Sequence, residues 1–226
     1  HLYALLDFCK KENLPNVYLH LFTDGRDAPK EEGAEYFKKL EGKLETEYPF
    51  AKIASVSGRD FAMDRDKNWT KVEKAEKCFF LGAGHKFESA SSYIKFSYKE
   101  GKTDEFVEPG FVFSGEGQIK KGDSVIFYNF REDSMRELVS LMIKKEGVFF
   151  STMTKYDKNF ELSIAFPSTD HEEPFSKIIS QNNFSQLKVA ETEKFAHVTY
   201  FFNGGIEEPF QKEDRILIDS PKVSFD

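Results

Sequence analysis

At 226 residues, with 39% of them apolar and 25 phenylalanines, the chain is long for one domain, short for two, and well supplied for a core. A charged fraction of 31% and a net charge of −7 fit a soluble cytoplasmic protein and argue against nonspecific binding to nucleic acid or an anionic membrane surface. No apolar run approaches the ~18 residues of a membrane span, no signal peptide is visible, and neither Cys9 nor Cys78 has a Cys-x-x-Cys partner, which leaves both as small hydrophobes.

Residues 1–12 open the chain with an amphipathic helical pattern (Leu2, Leu5, Leu6, Cys9). The apolar run 17–22 reads as a strand and ends in the turn signal Thr23-Asp24-Gly25. A helix follows over 31–47, then a strand over 52–57 that ends at Gly58. Helices are expected over 70–81 and 89–100, a strand over 124–130, a helix over 133–145 and a strand over 148–154. Trp69, Phe61, Phe79 and Phe80 are expected in the core. Strands separated by helices of this length make an α/β fold with a mostly parallel sheet flanked by helices.

A polar, proline-flanked stretch over 165–174 then reads as an interdomain linker. Beyond it a helix (175–181), a strand (186–190), a helix (194–202), a turn at Asn203-Gly204-Gly205 and a strand (215–218) are expected. About 50 residues are too few to close an α/β domain alone. The expected organisation is therefore a domain over 1–166, a linker over 167–174 and an incomplete domain segment over 175–226. Both ends read as cuts through a longer protein.

Arginine is scarce. Of 32 basic residues only six are arginine: Arg26, Arg59, Arg65, Arg131, Arg136 and Arg215, each beside an Asp or Glu. Three settings nearly repeat: Gly25-Arg26-Asp27, Gly58-Arg59-Asp60 and Asp64-Arg65-Asp66. Lysine serves for general solubility, and the planar guanidinium is kept for places where its fork matters, such as carboxylate or phosphate. In open α/β sheets ligands bind beyond the carboxyl ends of strands. Arg26, Arg59 and Arg131 each follow an expected strand, and Arg65 comes six residues after Arg59. These four are expected to meet at one rim of the sheet, with Arg215 outside the site because it precedes its strand.

Six motifs occur in order: Leu-Phe-Thr-Asp-Gly-Arg-Asp (21–27), Val-Ser-Gly-Arg (56–59) with Ala-Met-Asp-Arg-Asp (62–66), Phe-Tyr-Asn-Phe-Arg (127–131), Ala-Glu-Thr-Glu-Lys-Phe-Ala-His-Val-Thr (190–199), Phe-Phe-Asn-Gly-Gly (201–205) and Ser-Pro-Lys-Val (220–223). Together they resemble the cofactor-independent (2,3-bisphosphoglycerate-independent) phosphoglycerate mutases, essentially end to end. The resemblance implies an isomerase of glycolysis and gluconeogenesis that interconverts 3-phosphoglycerate and 2-phosphoglycerate through a phosphoserine. It also implies an alkaline-phosphatase-like domain with two metal ions, usually manganese, an inserted substrate-binding domain, and a monomer.

Carried over by motif, Asp27 holds a glycerate hydroxyl, and Arg26 faces carboxylate or phosphate. Arg59, Arg65 and Arg131 are further substrate arginines, and Lys194 reaches the transferring phosphate from the phosphatase side. The chain departs from the pattern at Ser134, where the family carries a second arginine, a loss of ~2–4 kcal/mol of phosphate holding if nothing compensates. Arg136 lies two residues on, about 200° round a helix, and is a poor substitute. In the family the serine nucleophile precedes this segment and the metal ligands follow it, and none of the five histidines here pairs at ligand spacing. The chain alone is therefore expected to be inactive. A noncatalytic anion-binding domain and a phosphatase relative with another phosphate ester stand as alternatives.

Overall fold

The computed structural model describes residues 1–167 and 173–220. The chain falls into two compact units, His1–Pro167 and Ser168–Asp226. The middle of the expected linker (168–172) and most of the 220–223 motif lie outside the described residues.

In the first unit, α1 (Leu2–Lys11), β1 (Val17–Thr23), α2 (Gly33–Glu47) and β2 (Ala51–Gly58) come first. The one-turn helix α3 (Arg59–Ala62), α4 (Trp69–Leu81), β3 (His85–Phe87), α5 (Ala90–Lys99), a 3₁₀ turn (Asp104–Phe106) and β4 (Gly110–Val112) follow. The unit closes with β5 (Ser124–Phe127), α6 (Glu132–Met142), β6 (Phe149–Thr152) and β7 (Ser163–Ile164). Strand order in the first sheet is β1-β2-β4-β3, and in the second β5-β6-β7. All pairings are parallel except β2 with β4.

Local chemistry sets the element ends. Ser89 caps α5, its hydroxyl accepting from the Ser92 amide. Gly82 stops α4 in the left-handed conformation, its amide bonded to the Cys78 carbonyl and that of Ala83 to the Lys77 carbonyl. β5 is three residues shorter than expected because the Tyr156 hydroxyl turns to the carbonyls of Phe127 and Asn129, which leaves 128–130 outside the ladder. Trp69 is not core: as the first residue of α4 it is 43% exposed.

The first sheet is covered on both faces, which is why β2 is buried continuously from Ala54 to Gly58. On one face Leu6 of α1, Phe37, Leu40 and Leu44 of α2 and Ile94 of α5 pack on Leu19, Leu21 and Val56. On the other, Val72, Ala75 and Phe79 of α4 join Met135, Leu138 and Met142 of α6 with Phe127 and Phe150 of the second sheet. That second cluster holds β5 close to the first sheet, with no strand pairing between the two sheets among the described residues.

The second unit contains α7 (Phe175–Gln181), β8 (Gln186–Glu191), α8 (Thr192–Ala196), a π turn (His197–Phe201) and β9 (Glu213–Ile218). β8 and β9 pair in parallel, from Gln186 with Glu213 to Glu191 with Ile218. The expected helix over 194–202 begins two residues earlier and changes pitch at His197. Leu187, Val189, Ile216, Leu217 and Ile218 are all exposed, while Lys188 and Glu213 are buried. The Lys188 ammonium donates to Ser176 Oγ at 2.7 Å and to Asn203 Oδ1, and lies 3.6 Å from Glu213. Glu213 also accepts from Arg215 Nε at 2.6 Å. Arg215 thus serves a buried ion network in this unit.

Candidate anion site

The loop after β1 is shaped by Asp24. Its Oδ1 accepts the amides of Arg26 and Asp27, each at 3.1 Å, an Asx turn that needs Gly25 at φ +70°. The Thr23 hydroxyl donates to the Asp104 carbonyl at 2.6 Å and ties the root of the loop to the 3₁₀ turn. Asp104 also caps α2, its Oδ2 accepting the amides of Glu32 and Gly33.

Arg59 opens α3 at the end of β2 and is only 5% exposed. Its Nη1 donates to Asp24 Oδ1 at 2.6 Å and to Asp27 Oδ2 at 2.9 Å. The same Asp27 oxygen accepts from Arg131 Nη1, at the N-cap of α6. Asp133, in the first turn of α6, accepts from Arg65 Nη1 at 3.0 Å and lies 3.8 Å from Arg131 Nε. The order Arg59, Asp27, Arg131, Asp133, Arg65 is one continuous chain of alternating charge. Arg26 leaves the same loop on the other side, its Nε donating to Glu105 Oε1 at 2.7 Å.

Asp27 shows the field of this cluster most directly. Its carboxyl is held down at about 2, first by the Arg59 hydrogen bond against some burial, then by Arg131. Burial works to raise Asp24 and Asp133, but the Arg59 and Arg65 guanidinium groups overcome it and leave both below the ordinary range.

All four arginines named from the sequence are therefore tied to the Asp24–Asp27 loop or to Asp133. They do not share one sheet's rim, however: β1 and β2 belong to the first sheet and β5 to the second, and among the described residues no strand pairing joins the two sheets. Lys194 is an exposed residue of α8 in the other unit. Arg136 donates to the Tyr156 carbonyl at 2.7 Å and takes no part. Ser134 is fully buried under α6, so a longer side chain at that position would have to displace core.

Four carboxylates, on Asp24, Asp27, Asp133 and Glu105, partner these guanidinium groups, and the sequence pairs none of them across the distances involved. Asp24 carried a turn signal and Asp133 stood near Arg131, but nothing local marks Glu105. Among the described residues no group of three or more His, Cys, Asp or Glu side chains is placed to hold a metal ion. No helix among them is long and apolar enough to cross a membrane.

The 3₁₀ turn is wedged under both strand ends. A Cβ on Gly58 would lie 2.3 Å from the Glu105 carbonyl oxygen, a backbone atom that cannot swing away. Gly58→Ala is expected to cost about 3 kcal/mol and to lower the melting temperature of this unit by about 10 °C, read by thermal denaturation.

The fold and these loops define an α/β protein with a strand-end cluster of guanidinium groups paired to carboxylates. Residues 1–162 match the family model described as BPG-independent PGAM N-terminus. The chain belongs to the BPG-independent phosphoglycerate mutase family. It is 42% identical to the 2,3-bisphosphoglycerate-independent phosphoglycerate mutase of Symbiobacterium thermophilum, covering 99% of this chain and 46% of that protein. Its identity to the enzyme of the same name from Clostridium beijerinckii is 45%, with the same coverage of each. A crystal structure of Leishmania mexicana phosphoglycerate mutase at low cobalt concentration superposes with a TM-score of 0.79 at 26% identity, covering 98% of this chain and 45% of that one. The chain spans about half the length of the relatives it matches.

Proposed function

We propose that this chain is the substrate-gripping part of a phosphoglycerate mutase that interconverts 3-phosphoglycerate and 2-phosphoglycerate through a phosphoserine. The observation that supports it most is the joining of Arg59, Arg131 and Arg65 through Asp27 and Asp133, with Arg26 on the same loop. Arginine forks suit a carboxylate and a phosphate on one small acid, and a carboxylate between two of them suits a hydroxyl. In this reading Arg26, Arg59, Arg65 and Arg131 take the charged ends of the glycerate, and Asp27 takes a hydroxyl. Lys194 takes the phosphoryl group in transfer, as the family resemblance implies. A mutase must keep water from its phosphoserine, so the grip has to retain the glycerate while it turns over.

The domains follow the same reading: a substrate domain over 1–166, a linker over 167–174 and a phosphatase-like segment over 175–226. Two metal ions, manganese by the family resemblance, and the serine nucleophile belong to the parent outside this chain. The described residues do not fit a metal site. The parent works as a cytoplasmic monomer on a small molecule, with neither nucleic acid nor membrane as partner, in keeping with the net charge of −7.

The test is turnover of 3-phosphoglycerate with manganese by the full-length protein and by this chain. Full-length protein is expected to be active and the 226-residue chain inactive. In the full-length protein, Arg131→Ala is expected to lower kcat/KM by about a hundredfold. Hydrolysis of another phosphate ester without mutase turnover would overturn the reading.

A further inference from the structure

We propose that Glu105 is a positioning residue for Arg26, holding its guanidinium from behind so that the terminal nitrogens face the ligand. The inference rests on the grip reading above and adds the group that aims one of its forks.

Glu105 lies in the 3₁₀ turn between α5 and β4, 79 residues from Arg26. Its side chain is 11% exposed and would be costly to bury unpaired. The backbone beneath it is fixed on two sides. A Cβ on Gly25 would lie 2.5 Å from the Glu105 amide nitrogen, and one on Gly58 would lie 2.3 Å from its carbonyl oxygen. The Gly58 amide donates to the Val107 carbonyl at 2.7 Å, and Thr23 holds Asp104. The carboxylate is therefore anchored to the ends of β1 and β2 at once, before its side chain is considered.

The bond it makes falls on Nε, the inner nitrogen of the guanidinium. Among the described residues the two terminal nitrogens of Arg26 have no hydrogen-bond partner, and the side chain is 35% exposed. Arg59, by contrast, spends Nη1 on Asp24 and Asp27. Bonding at Nε fixes the plane of the guanidinium and leaves its outer edge, which can take two oxygens of a carboxylate or phosphate side by side, uncommitted. A long, flexible side chain held in one rotamer loses less entropy on binding, so the effect belongs mainly in KM.

The experiment is steady-state mutase kinetics on full-length protein with manganese, for Arg26→Ala, Glu105→Ala, Glu105→Gln and the Arg26→Ala/Glu105→Ala pair. Glu105→Ala is expected to raise KM about tenfold. Glu105→Gln, which still accepts from Nε, is expected to stay within about threefold of wild type. The double variant is expected to be no worse than Arg26→Ala alone, because Glu105 acts through Arg26. Full multiplication of the two single effects would overturn the proposal, as would an unchanged KM in Glu105→Ala while Arg26→Ala is impaired. Unchanged kinetics in Arg26→Ala would instead remove the grip reading itself. If Glu105→Ala does not fold, Glu105→Asp decides: it keeps the charge but ends one methylene short of Nε, and wild-type KM there overturns the proposal.

Discussion

Arg59→Ala in the full-length protein is expected to lower kcat/KM by about a thousandfold, the largest effect of any single change in the site. Arg59 is the most buried of the four guanidinium groups, and its Nη1 neutralises two carboxylates at once. Without it Asp24 loses its guanidinium partner and Asp27 keeps only Arg131, at the root of the loop that carries Arg26. The carboxyl now held at about 2 moves up, and the loop loses its anchor to β2. Breaking a fully buried pair from one side costs about 3–5 kcal/mol. The Asp24 and Asp27 side chains are 44% and 52% exposed, so solvent takes part of that back, leaving about 1–3 kcal/mol of folding stability. Arg59→Lys separates the two losses. Both bonds come from a single nitrogen, so an ammonium restores much of the stability but not the fork, and kcat/KM stays about 10–100-fold down. Kinetics and urea unfolding of the three proteins check this. Wild-type turnover in Arg59→Ala would mean that the cluster is only a structural ion network.

The arginines were legible because they are rare and because chain direction puts the residue after a strand at the sheet's carboxyl edge. Their partners were less so. Asp24 could be read from Thr-Asp-Gly as a turn former, but not as the acceptor for an arginine 35 residues on. Glu105 has no local signal at all, since its role comes from a turn that two distant strand ends close over. The long elements α4 and β2 followed from their residue patterns and their glycine stops, and α2 from periodicity alone. β3 and β4, three residues each, did not, because such short strands are defined by their neighbours across the sheet. In the second unit Leu187 and Val189 are exposed in this chain, while Lys188 between them is enclosed by Ser176, Asn203 and Glu213. Alternation showed a strand there but not which face is buried.

The first unit is expected to lose stability steeply as pH falls from 6.5 towards 4, and His20 is the cause. Its ring sits in β1 with Nδ1 2.7 Å from Ser55 Oγ, 5.1 Å edge-on from the Phe79 ring and 6.4 Å from that of Phe111. Burial brings its pKa from 6.5 down to about 4, against a smaller upward pull from the Gly117 backbone. For a base held neutral in the fold, the unfolded chain takes up the proton first. The stabilisation is complete above 6.5 and drains away until the folded form protonates near 4. At about 1.4 kcal/mol per pH unit the loss reaches about 3 kcal/mol. Glu132 and Glu137, raised mainly by burial, bind protons more readily folded than unfolded and offset part of the loss at the acid end. Below that, Asp27 opens a second, weaker window, losing its contribution from 3.8 towards about 2. His20→Asn keeps a polar partner for Ser55 and removes the titration. Urea midpoints for the unit comprising His1–Pro167 at pH 7, 5.5 and 4.5 should therefore converge between wild type and variant as pH falls. A constant gap across the three values would show that His20 does not titrate on unfolding, and would move the acid sensitivity to the carboxylates alone.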